Sequence, residues 1–194
     1  MVGRMSPTGV SLETIEFKGP FGFDGPDSIF DELTDGVNGV YLWCVRIGDN
    51  RYRVYYVGEA ADVKNRMSQH RKNFLAGKYS GHCVDALVTK NVKILMHRPH
   101  EGMVPKFSHI DRKSFIKSLM ASMHLFYASL QGEEQDKKQF RCRVETGIVS
   151  HIENQGQNIV DVRSLRYWQK EKCRMHVLTG VNEIESLSNE RIKI

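Results

Sequence analysis

Two short runs of β-branched and aromatic residues, separated by turn-forming residues, constrain this chain more than any other feature. Gly39 to Ile47 reads Gly-Val-Tyr-Leu-Trp-Cys-Val-Arg-Ile, and Tyr52 to Val57 reads Tyr-Arg-Val-Tyr-Tyr-Val. Such residues suit a pleated, half-buried surface. Between the runs, Gly48-Asp49-Asn50 supplies a residue free to take positive φ and two side chains able to close on their own backbone. This order predicts an antiparallel hairpin that stops at Gly58. Because side chains alternate faces along a strand, Tyr55 and Tyr56 are expected on opposite sides.

Ala60 to Leu75 reads as a helix, with Val63, Met67, Phe74 and Leu75 as a thin apolar stripe and Gly77 as its C-terminal stop. Arg66 and His70 lie four apart, so they share a helical face and can address one phosphate together. Lys64, Arg71 and Lys72 make this helix strongly basic.

Elsewhere, residues 1–35 read as an irregular arm broken by Gly19-Pro20, Gly22 and Gly25-Pro26, with a short turn of helix at Ser28 to Leu33. Phe17, Phe21, Phe23 and Phe30 suggest that it packs on the body. Val92 to His97 reads as a third strand beside the hairpin, ended by Pro99. Asp111 to Leu130 reads as one long helix, with Phe115, Ile116, Leu119, Met120, Met123, Phe126, Tyr127 and Leu130 recurring at three and four. After a polar connector from Gly132 to Gln139, Phe140 to Glu153 reads as another helix, its face formed by Val144, Ile148, Val149 and Ile152 and its edge by Glu145. Beyond it, Asp161 to Trp168, Val177-Leu178 and Ile184 are expected to close the fold or to add a DNA-facing edge.

The arrangement resembles the GIY-YIG nuclease family, whose two tripeptides stand here as Gly39-Val40-Tyr41 and Tyr56-Val57-Gly58. The family's helical arginine and histidine match Arg66 and His70. Its later glutamate is placed at Glu145 and its asparagine at Asn158, with Glu153 and Asn154 as the less favoured substitutes. The likeness covers about residues 39–160. It departs from the family pattern in the long segment between Arg66 and Glu145, which includes a helix that the minimal family module lacks.

The resemblance implies an α/β (α+β) fold, a small antiparallel three-stranded sheet flanked by helices, in one domain over residues 1–194. An inserted helix, the N-terminal arm (1–35) and a C-terminal extension (161–194) would elaborate it. It also implies a site. Glu145 would hold Mg²⁺, with Mn²⁺ as the alternative, and a single carboxylate favours one metal over two. Arg66 would grip the phosphate as a fork that keeps its charge. Tyr41 would take a proton from the attacking water or orient it, which requires nearby cations to favour phenolate. Tyr56 would bond the phosphate or water, His70 would share proton transfer, and Asn158 would brace the site. Gly39 and Gly58 would let backbone and phosphate approach closely. Lys64, Arg71 and Lys72 would contact the DNA backbone.

Taken singly, each of these residues reads as ordinary structure: half-buried strand tyrosines, a solvated helix face, a surface glutamate. Their joint order is what points to nuclease chemistry. The expected activity is that of an Mg²⁺-dependent DNA endonuclease, and the short chain with no appended DNA-binding domain is compatible with a restriction-type enzyme; two-fold recognition would call for a homodimer. A structure-specific repair or recombination nuclease and an inactive nucleic-acid-binding module are the alternatives.

Composition agrees with these classes. A formal charge of +5 fits a polyanionic partner. No apolar run is long enough for a membrane span and no leader pattern opens the sequence, so a cytoplasmic protein with DNA as partner is expected. Cys44, Cys83, Cys142 and Cys173 lack paired spacing and read as reduced packing residues.

Overall fold

The computed structural model describes residues 13–130, 138–157, 159, 175–187 and 191–194. Within them the chain is a mixed α+β structure with small sheets and five α-helices. The hairpin forms as the sequence predicts, from β3 (Gly39–Gly48) and β4 (Arg51–Ala60). Asn50 takes the left-handed conformation in its turn, with φ 51°. The next helix, α2 (Val63–Leu75), begins where the Asp62 side chain accepts from the Asn65 amide at 2.9 Å. It ends before Gly77, whose φ is +67°.

A four-stranded antiparallel sheet holds this hairpin, rather than the expected three-stranded one. Its order is β2 (Lys18–Phe21), β8 (Met123–Ser129), β3, β4, so β3 is central and β4 lies at an edge. The strand beside the hairpin is therefore β8, cut from the second half of the expected Asp111 to Leu130 helix. Only Arg112–Ala121 is helical, capped by Asp111 and ended at Ser122. The physical reason lies in burial on both sides. Met123, Leu125 and Tyr127 enter one core while Phe126 and Ala128 enter the other. A segment buried on both faces reads as a continuous apolar run, which a helical period fits by accident.

The expected strand at Val92 to His97 forms instead as Leu95–Arg98 and lies outside this sheet. It pairs with two-residue strands at Gly81–His82 and Gly102–Met103 in a separate small sheet. A helix at Val84–Lys90 lies in the same stretch of chain. From Glu13 onward the N-terminal arm is more regular than its breakers suggest. Glu13–Glu16 forms a strand, Lys18–Phe21 is the outer strand of the main sheet, and Ile29–Glu32 is the short helix expected there. Phe17 and Phe23 are buried. A third sheet joins Glu13–Glu16, in parallel, to Met175–Thr179, which pairs in turn with Arg191–Lys193. Leu178 and Ile184 thereby close the core, while Asp161 to Trp168, Asn158 and Cys173 lie outside the described residues.

The main sheet separates two apolar cores. On one face Val40, Leu42, Val54 and Val57 meet Val144, Ile148, Val149 and Ile152 of α5 (Lys138–Asn154). Each such buried aliphatic contributes roughly 1.5–3 kcal/mol. On the other face Tyr41, Trp43 and Val45 meet Val63, Met67 and Phe74 of α2 and Ile116, Leu119 and Met120 of α4 (Arg112–Ala121). Leu75, expected in the stripe, is exposed.

One irregularity of the hairpin overturns strict alternation. Trp43 pairs with Tyr56 but Cys44 pairs with Val54, leaving Tyr55 as an extra residue in β4. This β-bulge lets Tyr55 and Tyr56 both pack on the Tyr41 side, instead of on opposite faces. Without the bulge, Tyr56 would follow Val54 into the α5 core.

Candidate active site

The bulge and helix α2 bring Tyr41, Tyr56, Arg66 and His70 together. The rings of Tyr41 and Tyr56 lie 6.1 Å apart, and each is within about that distance of the His70 imidazole, at 5.7 and 6.1 Å. Trp43 closes the group from below, its ring 4.6 Å from His70 in an edge contact. The two glycines of the tripeptides serve this packing. A β-carbon on Gly39 would overlap the carbonyl oxygen of Ala128 in the neighbouring strand, and one on Gly58 would overlap the Tyr41 ring. Their observed neighbours are thus protein backbone and a phenol, where the sequence suggested a phosphate.

His70 is buried, with both ring nitrogens engaged. Its Nε2 lies 2.7 Å from Tyr41 Oη and its Nδ1 lies 2.9 Å from Tyr79 Oη. Burial first, and then the positive charge of Arg66, push its pKa down to about 3, so the imidazole is neutral at physiological pH. It bears on the site through Tyr41, and its two ring nitrogens are spent on tyrosines instead of being shared with Arg66 over a phosphate.

Tyr41 is almost wholly buried. Desolvation, followed by the neighbouring Tyr56, holds its phenol well above the usual range, and the nearby Arg66 only partly offsets them. The phenolate that the sequence suggested is therefore disfavoured in the resting protein: burial outweighs the guanidinium. Arg66 is the exposed member, at the mouth of the cluster. Partial desolvation opposes its charge, but the phenols of Tyr41, Tyr56 and Tyr79 more than compensate and raise its pKa. A fixed cation at the rim above neutral phenols can hold an anionic oxygen and offer hydroxyls to it or to a water.

The basic residues of α2 remain at the surface. Lys64 pairs with Asp35 at 3.3 Å and Arg71 with Asp24 at 2.7 Å, while Lys72 is exposed in the last turn. Exposed pairs of this kind are worth little and exchange readily for a stronger anion.

Glu145 is half-buried on α5, whose apolar stripe packs on the sheet face opposite Tyr41. Its neighbourhood mixes charges, with Glu59, Lys138 and Arg141 all near the Cys142 thiol on the same helix face. The Cys142 thiol is raised by burial and then by the carboxylates of Glu59 and Glu145. Glu59 directly follows Gly58 but is held by Arg141 at 2.7 Å. Among the described residues no group of three or more His, Cys, Asp or Glu side chains converges as a cation cage. Hard cations such as Mg²⁺ or Mn²⁺ take one or two protein carboxylates and complete their shell with water and substrate oxygens, so Glu145 would be the protein ligand if one bound here. Glu153 and Asn154 stand near the end of the same helix.

Sequence reasoning missed a second constellation beside the tripeptides. Arg141, only 6 % exposed, reaches both hairpin strands at the motif's flanks. Its Nε donates to Glu59 Oε2 at 2.7 Å and its Nη1 donates to Asn38 Oδ1 at 2.9 Å, while Asn38 Nδ2 donates to the Leu130 carbonyl at 2.7 Å. Arg141 lies one turn before Glu145, so it ties the glutamate's helix to both strands that carry the tyrosines. Position alone offered a signal: Asn38 immediately precedes Gly39 and Glu59 immediately follows Gly58.

The chain matches no protein-family model, no curated protein and no solved structure.

Proposed function

We propose that this chain is an Mg²⁺-dependent DNA endonuclease of GIY-YIG type, with Mn²⁺ as an alternative ion, that hydrolyses phosphodiester bonds. The observation that carries the reading is the convergence of Tyr41, Tyr56, Arg66 and His70, from two paired strands and the following helix, into one group with an arginine at its rim. Arg66 would bind the nonbridging oxygens of the scissile phosphate and neutralise charge that builds there. Tyr41 and Tyr56, as neutral phenols, would orient the attacking water and the phosphate. His70 would hold Tyr41 in place. Glu145 would hold the metal, which supplies charge neutralisation at the phosphate when bound. Because α5 packs on the sheet face opposite Tyr41, Glu145 would have to meet the other groups around the β4 edge of the sheet. Lys64, Arg71 and Lys72 would track the backbone as α2 lies along the DNA. A restriction-type role, with a homodimer for two-fold sites, is the form of this activity we favour over a repair nuclease.

A second reading is a nucleic-acid-binding module without cleavage. The placement of Glu145 on the helix that packs against the opposite sheet face favours it. Incubating supercoiled plasmid with the protein and Mg²⁺, with and without EDTA, separates the two. EDTA-sensitive nicked or linear products support the endonuclease. Tight binding with no cleavage supports the module, and neither binding nor cleavage removes both.

A further inference from the structure

Beyond the four motif residues, a chain of hydrogen bonds runs away from the site through a residue that no motif includes. Tyr79 lies past the end of α2, where Gly77 turns the chain back toward the helix. Its hydroxyl sits 2.9 Å from His70 Nδ1 and also receives Asn73 Nδ2 at 3.1 Å. Its ring is fixed from two sides, by Phe74 at 5.0 Å and by His70 at 5.5 Å between centroids. Its backbone carbonyl lies 3.0 Å from Nδ1 of the buried His97. The loop that carries Tyr79 is thus tied down at ring, hydroxyl and backbone.

The direction of this chain follows from counting protons. Asn73 Nδ2 can only donate, so the Tyr79 oxygen accepts from it and the hydroxyl proton remains to be placed. The nearest acceptor for it is His70 Nδ1. A neutral imidazole with an accepting Nδ1 carries its proton on Nε2, and that proton points to Tyr41 Oη. The opposite arrangement would put two N–H donors on the Tyr79 oxygen and leave its own proton without an acceptor in the cluster.

We propose that Tyr79, held by Asn73, is a positioning residue that fixes His70 as the Nε2–H tautomer, so that the imidazole donates to Tyr41 Oη. His70 and Arg66 then both present positive edges to the Tyr41 oxygen, and the Tyr41 proton is left to its hydrogen-bonding neighbour Tyr56, through which the pair would address a water or phosphate oxygen. This use of Tyr41 rests on the nuclease reading; the tautomer does not.

The test uses ¹⁵N-labelled full-length protein. The ring nitrogen shifts of His70 in the wild type should show a protonated Nε2 and an unprotonated Nδ1. Tyr79→Phe, which keeps the ring packing, should move both nitrogens toward a mixture of tautomers, and Asn73→Ala should move them in the same direction by less. A wild-type Nδ1–H tautomer would overturn the proposal, since the Asn73 amide oxygen would then face Tyr79; unchanged shifts in Tyr79→Phe would overturn it too. On DNA, Tyr79→Phe should lower kcat roughly five- to tenfold with little change in KM, the scale of one ordinary hydrogen bond. An unaltered kcat would remove the functional role. If the wild type does not cut DNA at all, the nuclease reading fails, while the nitrogen shifts still decide the tautomer.

Discussion

Gly58 lies directly against the ring of Tyr41, close enough that a β-carbon at that position would overlap Cζ and Oη of the phenol. The third residue of the second tripeptide therefore defines where the first tripeptide places its hydroxyl. Gly58→Ala should cost about 1–3 kcal/mol in chemical denaturation, as overpacking does. It should also displace Tyr41, and a shift near 1 Å is enough to cost about 10²-fold in rate. Full activity in a folded Gly58→Ala protein would show that the Tyr41 position is unimportant.

Arg141 is a structural counterpart on the other face. Arg141→Met removes the partner of both Glu59 and Asn38, and breaking one side of a buried ion pair costs about 3–5 kcal/mol. The figure should fall toward its lower end here, because Glu59 keeps 20 % of its side-chain surface exposed. Urea denaturation measures it. Adding Glu59→Leu to Arg141→Met should recover part of the loss, since no unpaired carboxylate remains; a strictly additive double variant would mean that the two side chains do not couple.

The buried imidazole makes stability depend on pH in a stated direction. His70 has an ordinary pKa of 6.5 when unfolded and about 3 when folded, so below 6.5 the unfolded chain binds a proton that the native protein refuses. Its contribution is complete above pH 6.5 and is lost as the pH falls toward 3, with a limiting slope of about 1.4 kcal/mol per pH unit. His124, also depressed by burial and then by Arg46, adds to the same trend. Between pH 7.5 and 5, unfolding free energies should fall in the wild type and fall less in His70→Gln. Parallel curves would show that His70 is not held neutral.

The surface cations of α2 give a separate handle. If Lys64, Arg71 and Lys72 track phosphates, each replacement by alanine should weaken DNA binding uniformly across sequences and reduce the slope of log affinity against log salt by about 1. Fluorescence anisotropy with a labelled duplex reads this directly. An unchanged slope in the triple variant would take α2 out of the interface.

The sequence made the hairpin and α2 legible because both are local: turn residues between β-branched runs, then a capped basic helix with a glycine stop. It misled over Asp111 to Leu130. Phe115, Ile116, Leu119 and Met120 do line one helical face, but Met123, Phe126, Tyr127 and Leu130 continue the spacing only because a central strand is apolar on both sides. The bulge at Tyr55 left no mark in composition, since the extra residue is another tyrosine. Arg141 could not be singled out because its partners lie 82 and 103 residues away. Tyr79, nine residues past His70, falls beyond the helix whose periodicity revealed the histidine.

The most direct test of the site is single-turnover cleavage of a labelled duplex in Mg²⁺, comparing the wild type with Arg66→Ala at saturating protein. Loss of the rim cation should lower the cleavage rate by about 10²-fold or more while binding, measured on the same duplex with Ca²⁺ in place of Mg²⁺, changes little. Equal cleavage rates in the two proteins would contradict the assignment of this tyrosine, histidine and arginine cluster as the place where phosphodiesters are cut.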